Sequence, residues 1–304
     1  EDMESAGAHP RAFLMREYQK RPSNFRATGD LAEFLCQYNV LGIEGFDTRM
    51  LTRKLRTVGA LKGIVSTEDL DSESLVQRAR DWDGLVGRDM IKRVTCLAPY
   101  TWQNGAPKPG NSFPEQGKWK VVVYDFGIKY NQLRLLTERG CSLVVVPATT
   151  TAEEVLALKP DAVFLSNGPG DPAGIQGVVE NIRRLLDKLP IFGICLGHQL
   201  LGLAFGASTY KLKFGHRGGN QPVKELASGR VSITSQNHGF CVDPDTLPAD
   251  VEVTHINLND GSLEGMQHRN LPVFSVQYHP EYAAGPHDAV YLFDRFISMI
   301  EQTR

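Results

Sequence analysis

From about residue 119 the chain alternates short apolar runs with segments of helical spacing. Residues 119–126 (WKVVVYDF) are rich in β-branched side chains and predict a strand, followed by a helical stretch through Leu136. Residues 141–147 (CSLVVVP) predict a second strand and 152–158 a helix; residues 161–165 (DAVFL) predict a third strand and 175–189 a helix. Residues 190–194 (PIFGI) predict a fourth strand that runs straight into a helical segment from Leu196. Apolar strands without polar alternation, separated by helices, imply an α/β fold with a mostly parallel sheet covered on both faces. Residues 231–234, 251–255 and 272–277 are strand-like with no long helices between them, a series able to add antiparallel strands. A last helix is expected over about 288–302.

The first hundred residues carry a weaker pattern. Residues 31–38, 47–56 and 72–82 have helical spacing and 63–66 read as a strand, a smaller mixed α and β segment with no catalytic constellation. Residues 103–117 (QNGAPKPGNSFPEQG) are dense in Gly, Pro and Asn, so they read as an interdomain linker. The expected organisation is an N-terminal domain over 1–102, a linker over 103–117 and a catalytic domain over 118–304. No internal repeat is visible.

Composition narrows the classes. The chain has 304 residues, 41% hydrophobic and 22% charged, with a formal net charge of −2 and no basic tract to track phosphates, so nucleic acid is not an expected partner. Five cysteines stand far apart with no Cys-x-x-Cys pair, which points to a reducing compartment rather than a disulfide framework or zinc ribbon. The acidic start and the lack of a long apolar run imply a cytoplasmic protein without a membrane partner. The eight histidines have no spacing typical of metal ligands, and no metal site is expected.

Gly193-Ile194-Cys195-Leu196-Gly197 is the sharpest local feature. It has the form G-x-nucleophile-x-G at a strand-to-helix junction, where the sharp turn crowds the flanking positions and favours Gly. The turn sets the thiol at a helix N-terminus, which favours thiolate, and places the N–H of Leu196 toward an oxyanion. The pentapeptide alone leaves a buried structural cysteine equally open. His279-Pro280-Glu281 follows the strand at 272–277; Pro280 favours extended backbone, and in an extended chain His279 and Glu281 point to the same side. Nucleophile, base and orienting carboxylate together make triad logic, in an order (Cys, His, Glu) unlike that of α/β-hydrolases. His-Pro-Glu alone also suits a solvated surface histidine.

Gly193-Ile-Cys-Leu-Gly-His-Gln199 with His279-Pro-Glu281 resembles the class I (triad) glutamine amidotransferases, and Ser166-Asn-Gly-Pro-Gly-Asp-Pro172 resembles that family's oxyanion loop. Lys213 to Val223, Thr234-Ser-Gln-Asn-His-Gly-Phe240, Ser23-Asn-Phe-Arg26 and Asp47-Thr-Arg-Met-Leu-Thr-Arg53 narrow the resemblance to the carbamoyl-phosphate synthetase small-subunit family, over nearly the whole chain. The resemblance implies a flavodoxin-like glutaminase fold, with Cys195, His279 and Glu281 catalytic and the N–H groups of Gly168 and Leu196 as oxyanion donors. It implies Gly168, Gly170, Leu196, Gln199, Asn237, Gly239 and Phe240 as contacts to L-glutamine. It also implies a large-subunit partner that carries ATP and its metal, no cofactor in this chain, and ammonia passed between the two. Family members begin upstream of the segment matching Glu1, so the first domain is expected to be N-terminally incomplete.

Alternatives on residue patterns remain. Asn237-His238-Gly239 also reads as a hairpin turn, the basic pairs over 47–56 as a solvated helix face, and Gly215 to Gly219 with His216 and Arg217 as a phosphate loop, though without a P-loop setting. A regulatory or scaffold subunit of the same fold is the alternative to catalysis, a role that would tolerate loss of Cys195, His279 or Glu281, all of which are present.

Overall fold

The computed structural model describes residues 3–304, which fall into two compact units that divide between Gly84 and Leu85.

In the first unit, β1 (Ala12–Leu14) pairs in parallel with β2 (Leu41–Ile43), and α1 (Leu31–Gln37) lies between them in sequence. Asp30 starts α1 with a reciprocal capping box through Glu33. α2 (Thr48–Val58) is capped by Asp47, whose carboxylate accepts from Met50 N–H at 2.8 Å, and ends at Gly59 with φ 105°. α3 (Ser72–Asp81) is capped by Asp71. Neither α2 nor α3 buries a residue, in keeping with a solvated face on α2. Residues 63–66, expected as a strand, are irregular, and the strands form instead at β1 and β2.

The second unit holds an eleven-stranded sheet among the described residues, in the order β10-β9-β11-β12-β13-β8-β7-β5-β6-β3-β4. Its elements are β3 (Tyr100–Gln103), β4 (Ala106–Pro109), β5 (Trp119–Asp125), α4 (Tyr130–Glu138), β6 (Cys141–Pro147), α5 (Ala152–Ala157), β7 (Ala162–Leu165), α6 (Val178–Leu185), β8 (Ile191–Ile194), α7 (Leu196–Phe205), β9 (Thr209–Glu225), β10 (Val231–Val242), β11 (Val251–Asn257), β12 (Leu263–His268), β13 (Val273–Val276) and α8 (Tyr291–Thr303). The centre, β13-β8-β7-β5-β6, is parallel. Antiparallel strands extend it on both sides.

The parallel strands read as continuous apolar runs because both faces are buried. Val121, Val123, Leu143, Val145, Phe164 and Phe192 face α4 and α8. Val122, Tyr124, Val144, Val146, Val163 and Leu165 face α5, α6 and α7. The fold is α/β as expected, and the parallel arrangement holds for the central strands.

Two boundaries differ from the sequence reading. The compact units divide at Gly84/Leu85, and the segment expected as a linker over 103–117 contains a hairpin. Asn104 (φ 53°) and Gly105 (φ 75°) make the turn between β3 and β4, and Trp102 is buried against Tyr130 with ring centroids 4.9 Å apart. Pro107 and Pro109 are tolerated because β4 is the edge strand. The Gly-rich stretch at 213–223 lies inside β9, and Asn237-His238-Gly239 lies inside β10; neither is a turn or a phosphate loop. Among the described residues no helix is long and apolar enough to cross a membrane.

Candidate active site

The site forms at the carboxyl ends of β5, β7, β8 and β13. Chain order reverses beside β5, since β6 lies on one side of it and β7, β8 and β13 lie on the other. Crevices of α/β sheets form where order reverses in this way.

β8 delivers Cys195 into a sharp turn before α7. Cys195 has φ 54° and ψ −101°, a backbone state that costs about 1–3 kcal/mol for a residue with a Cβ. The flanking glycines are sterically required. A Cβ on Gly193 would sit 2.7 Å from Leu201 Cδ1 and 2.9 Å from the Gly197 carbonyl carbon; one on Gly197 would sit 2.3 Å from the Leu165 carbonyl oxygen. Cys195 N–H donates to Val276 O at 2.9 Å, and Gly197 N–H donates to Ser166 O at 3.1 Å, tying the turn to β13 and to the loop after β7. Cys195 is 3% exposed.

That loop is held from several sides. Ser166 Oγ accepts from Phe126 N–H at 2.9 Å. The Asn167 side-chain oxygen accepts from Lys129 N–H at 3.1 Å and from Gln132 Nε2 at 3.0 Å, while its amide nitrogen donates to Gly127 O at 3.0 Å. A Cβ on Gly168 would lie 2.2 Å from Phe126 O, so only glycine brings this backbone so close to β5. Gly170 has φ 100°, and Asp171 closes the loop by accepting from Ala173 N–H at 3.0 Å and Gly87 N–H at 2.9 Å. Leu196 is the first residue of α7, so its N–H has no partner within the helix.

His279 Nδ1 and Glu281 Oε1 are 2.7 Å apart, and both residues are buried. The tripeptide is a turn rather than extended: Tyr282 N–H donates to His279 O at 3.2 Å, with Pro280 at the position of a turn that proline favours. The two side chains meet all the same. Burial opposes charge on His279, but the Glu281 carboxylate outweighs it and holds the imidazole pKa up at about 9; Lys129 pulls it down and the neighbouring Cys195 raises it. Burial likewise pushes the Glu281 carboxyl up, yet His279 and Lys129 hold it down at about 2. The pair is therefore an imidazolium and a carboxylate at neutral pH.

The other expected contacts gather nearby. Gln199, in the first turn of α7, donates through Nε2 to Phe240 O at 2.8 Å and to Gln277 Oε1 at 3.0 Å, joining α7 to β10. Asn237 is exposed, Gly239 half-buried and Phe240 buried along β10. Lys129 and Asn131 carried no role in the sequence reading, and Arg217 was named there only within a candidate phosphate loop. Lys129 Nζ is 3.3 Å from Glu281 Oε1, and Asn131 Nδ2 donates to Glu281 O at 2.7 Å. Arg217 on β9 is near enough to Cys195 to interact with its charge. Lys129 and Asn131 follow the carboxyl end of β5, and that position was the available signal.

A glutamine amidotransferase class-I family model matches residues 122–299, which include every residue of this site, and a carbamoyl-phosphate synthase small chain model (its CPSase domain) matches residues 1–65. A carbamoyl phosphate synthase small chain from Syntrophotalea carbinolica is 55% identical, covering 100% of this chain and 82% of the relative. Those from Aquifex aeolicus and Escherichia coli K12 are 47% and 48% identical, covering 99% and 100% of this chain and 82% and 81% of the relatives. A crystal structure described as a GMP synthase protein from Thermoplasma acidophilum superposes with a TM-score of 0.54 at 25% identity, covering 61% of this chain and 96% of that one. The class is thus that of glutamine amidotransferases built on a class-I domain. More narrowly, the chain belongs to the carbamoyl phosphate synthase small chain family.

Proposed function

We propose that this chain hydrolyses L-glutamine to glutamate and ammonia through Cys195, His279 and Glu281, and delivers the ammonia to a large subunit that makes carbamoyl phosphate from bicarbonate and ATP. The observation that carries the reading is a buried cysteine at a positive-φ turn, close enough to His279 to raise its pKa, with the Glu281 carboxylate 2.7 Å from that imidazole. The Cys195 thiolate attacks the γ-carboxamide carbon, and the N–H groups of Leu196 and Gly168 receive the oxyanion. The His279 imidazolium gives its proton to the departing ammonia, leaving a γ-glutamyl thioester. His279 then takes a proton from water as it attacks the thioester, and glutamate leaves. Glu281 fixes the imidazole through Nδ1, so that Nε2 serves the reaction. Gly170, Gln199, Asn237, Gly239 and Phe240 are the expected contacts to the rest of the substrate.

Cys195→Ser tests the triad. Ammonia release from glutamine is expected to vanish while the thermal midpoint stays unchanged; substantial turnover in the variant overturns the assignment. Adding a carbamoyl-phosphate synthetase large subunit to the unmodified chain is expected to accelerate release, and an equal rate with and without it counts against the coupling.

A further inference from the structure

A second polar cluster, distinct in its residues from the triad, is assembled from three strands. His216 of β9, His238 of β10 and Glu264 of β12 are all buried, Glu264 completely, and one donor atom from each lies within 4.8 Å of the others. Their hydrogen bonds fix which atoms carry protons. His216 Nε2 is 2.8 Å from Asp260 Oδ2, and a carboxylate only accepts, so that nitrogen bears the hydrogen. His238 Nδ1 is 2.8 Å from Phe240 O, so it too bears the hydrogen. In the neutral rings His216 Nδ1 and His238 Nε2 are then bare lone pairs, and they face each other at 3.2 Å.

The surroundings supply more acceptors. Thr234 Oγ1 donates to Gln221 O at 2.9 Å, so it must accept from Gln236 Nε2 at 3.2 Å; this turns Gln236 Oε1 toward His238 Nε2 at 3.0 Å. Glu264 Oε1 is 3.4 Å from His216 Nδ1 and accepts from Asn257 Nδ2 at 3.0 Å, while Glu264 Oε2 is buried without a hydrogen-bond partner. With both rings neutral, two imidazole nitrogens, an amide oxygen and the Glu264 carboxyl group thus converge on one point. One added proton on His238 Nε2 would serve Gln236 Oε1 or His216 Nδ1, yet it would leave Glu264 Oε2 unpartnered.

We propose that His216, His238 and Glu264 form a binding site for one divalent transition ion of the zinc class, with Gln236 Oε1 completing the donor set. Two imidazoles and a carboxylate suit a borderline ion of this kind. Tetrahedral bonds of about 2.0–2.1 Å separate donor atoms by about 3.3 Å, which the 3.2 Å and 3.4 Å gaps match. The outer nitrogens held by Asp260 and by Phe240 O are the orienting contacts that metal-bound histidines make. Phe240 O also accepts from Gln199, so a bound ion would stiffen the part of β10 that faces the triad. Histidine spacing along the chain carries no trace of the site, because its members meet only across the sheet.

The test uses the 304-residue chain in a Cys195→Ser background, which removes the thiol as a competing ligand. After treatment with a chelator and dialysis, Co(II) is titrated and its visible d–d absorption followed; Zn(II) is then added while the thermal midpoint is recorded. One equivalent of Co(II) with tetrahedral-type bands, displaced by Zn(II), and a midpoint raised by Zn(II) are expected. Glu264→Gln, which keeps the shape of the side chain, and His216→Gln should each weaken uptake by about tenfold or more, whereas His268→Ala, outside the cluster, should leave it unchanged. Absence of uptake, or equal uptake and equal Zn(II) stabilisation in the chain with and without Glu264→Gln, overturns the proposal and assigns the cluster a proton instead.

Discussion

Glu281→Gln isolates what the carboxylate does for His279. The amide keeps an oxygen within reach of Nδ1–H, so ring orientation survives while the negative charge goes. The structure contains its own reference for a buried histidine without a dominant carboxylate. Burial pushes His198 and His238 down to about 3 and His255 down to about 4. His279 is as buried as these, yet stands at about 9. Relative to an ordinary 6.5 this stabilises the imidazolium by roughly 3 kcal/mol, at about 1.4 kcal/mol for each factor of ten. With Glu281 replaced, burial and Lys129 both lower the ring's pKa and only Cys195 opposes them. If the ring falls to about 4, only about one molecule in 10³ carries the imidazolium at pH 7. Ammonia release should therefore drop about 10²–10³-fold, because proton donation to the leaving ammonia is lost. The assay is glutamine hydrolysis from pH 5 to pH 10, with alkylation of Cys195 by iodoacetamide measured across the same range. The alkaline limb of the unmodified chain should fall through about pH 9, and that limb should vanish in the variant. Full activity with an unchanged pH profile would refute the reasoning and reduce Glu281 to a packing residue.

Gly197→Ala should cost about 3 kcal/mol of stability, at the upper end for overpacking, because its Cβ would lie 2.3 Å from the Leu165 carbonyl oxygen; a denaturant midpoint equal to that of the unmodified chain would contradict this. Phe192→Ala should cost about 3–5 kcal/mol, since the ring packs against Phe164, Phe274, Phe293 and Phe296; thermal unfolding measures it. The His279–Glu281 pair should also shape stability with pH. The raised His279 pKa contributes stability that is complete below 6.5 and lost as pH rises through about 9. The lowered Glu281 pKa contributes stability that is complete above 4.5 and lost as pH falls through about 2. Urea midpoints should show the advantage of the unmodified chain over Glu281→Gln to be greatest between pH 4.5 and 6.5 and to shrink above about pH 9.

The centre of the fold was legible because burial on both faces removes polar alternation. The strands β5, β6, β7 and β8 are apolar on either side, and no solvated helix would carry such runs. The edges were less legible because they break that rule. β9 runs 17 residues through Gly215, Gly218 and Gly219 with most of its positions outside the core, and its pairing with β10 shifts register twice. β4 has no buried position, and its prolines imitate a linker. In the first unit the described large hydrophobics that are buried are Leu35 and Val40, so periodicity there had little core to report.

The site was legible to the extent that steric demand leaves glycines in the chain. Gly193, Gly197 and Gly168 stand where an added Cβ would meet backbone or buried side chains at 2.2–2.9 Å, so a tertiary contact is written into local sequence. Gly215 belongs to the same class: its Cβ would lie 2.2 Å from His238 O, which makes it a record of how closely β9 passes β10. That approach sets His216 against His238. Polar convergence leaves no such mark. Lys129 reaches Glu281 from a distant part of the chain, and His216, His238 and Glu264 are brought together only by strand pairing, each residue individually ordinary. A motif search therefore finds the elbow, where geometry excludes every side chain but hydrogen. It passes over sites built from common residues whose meaning lies in distances of about 3 Å between strands.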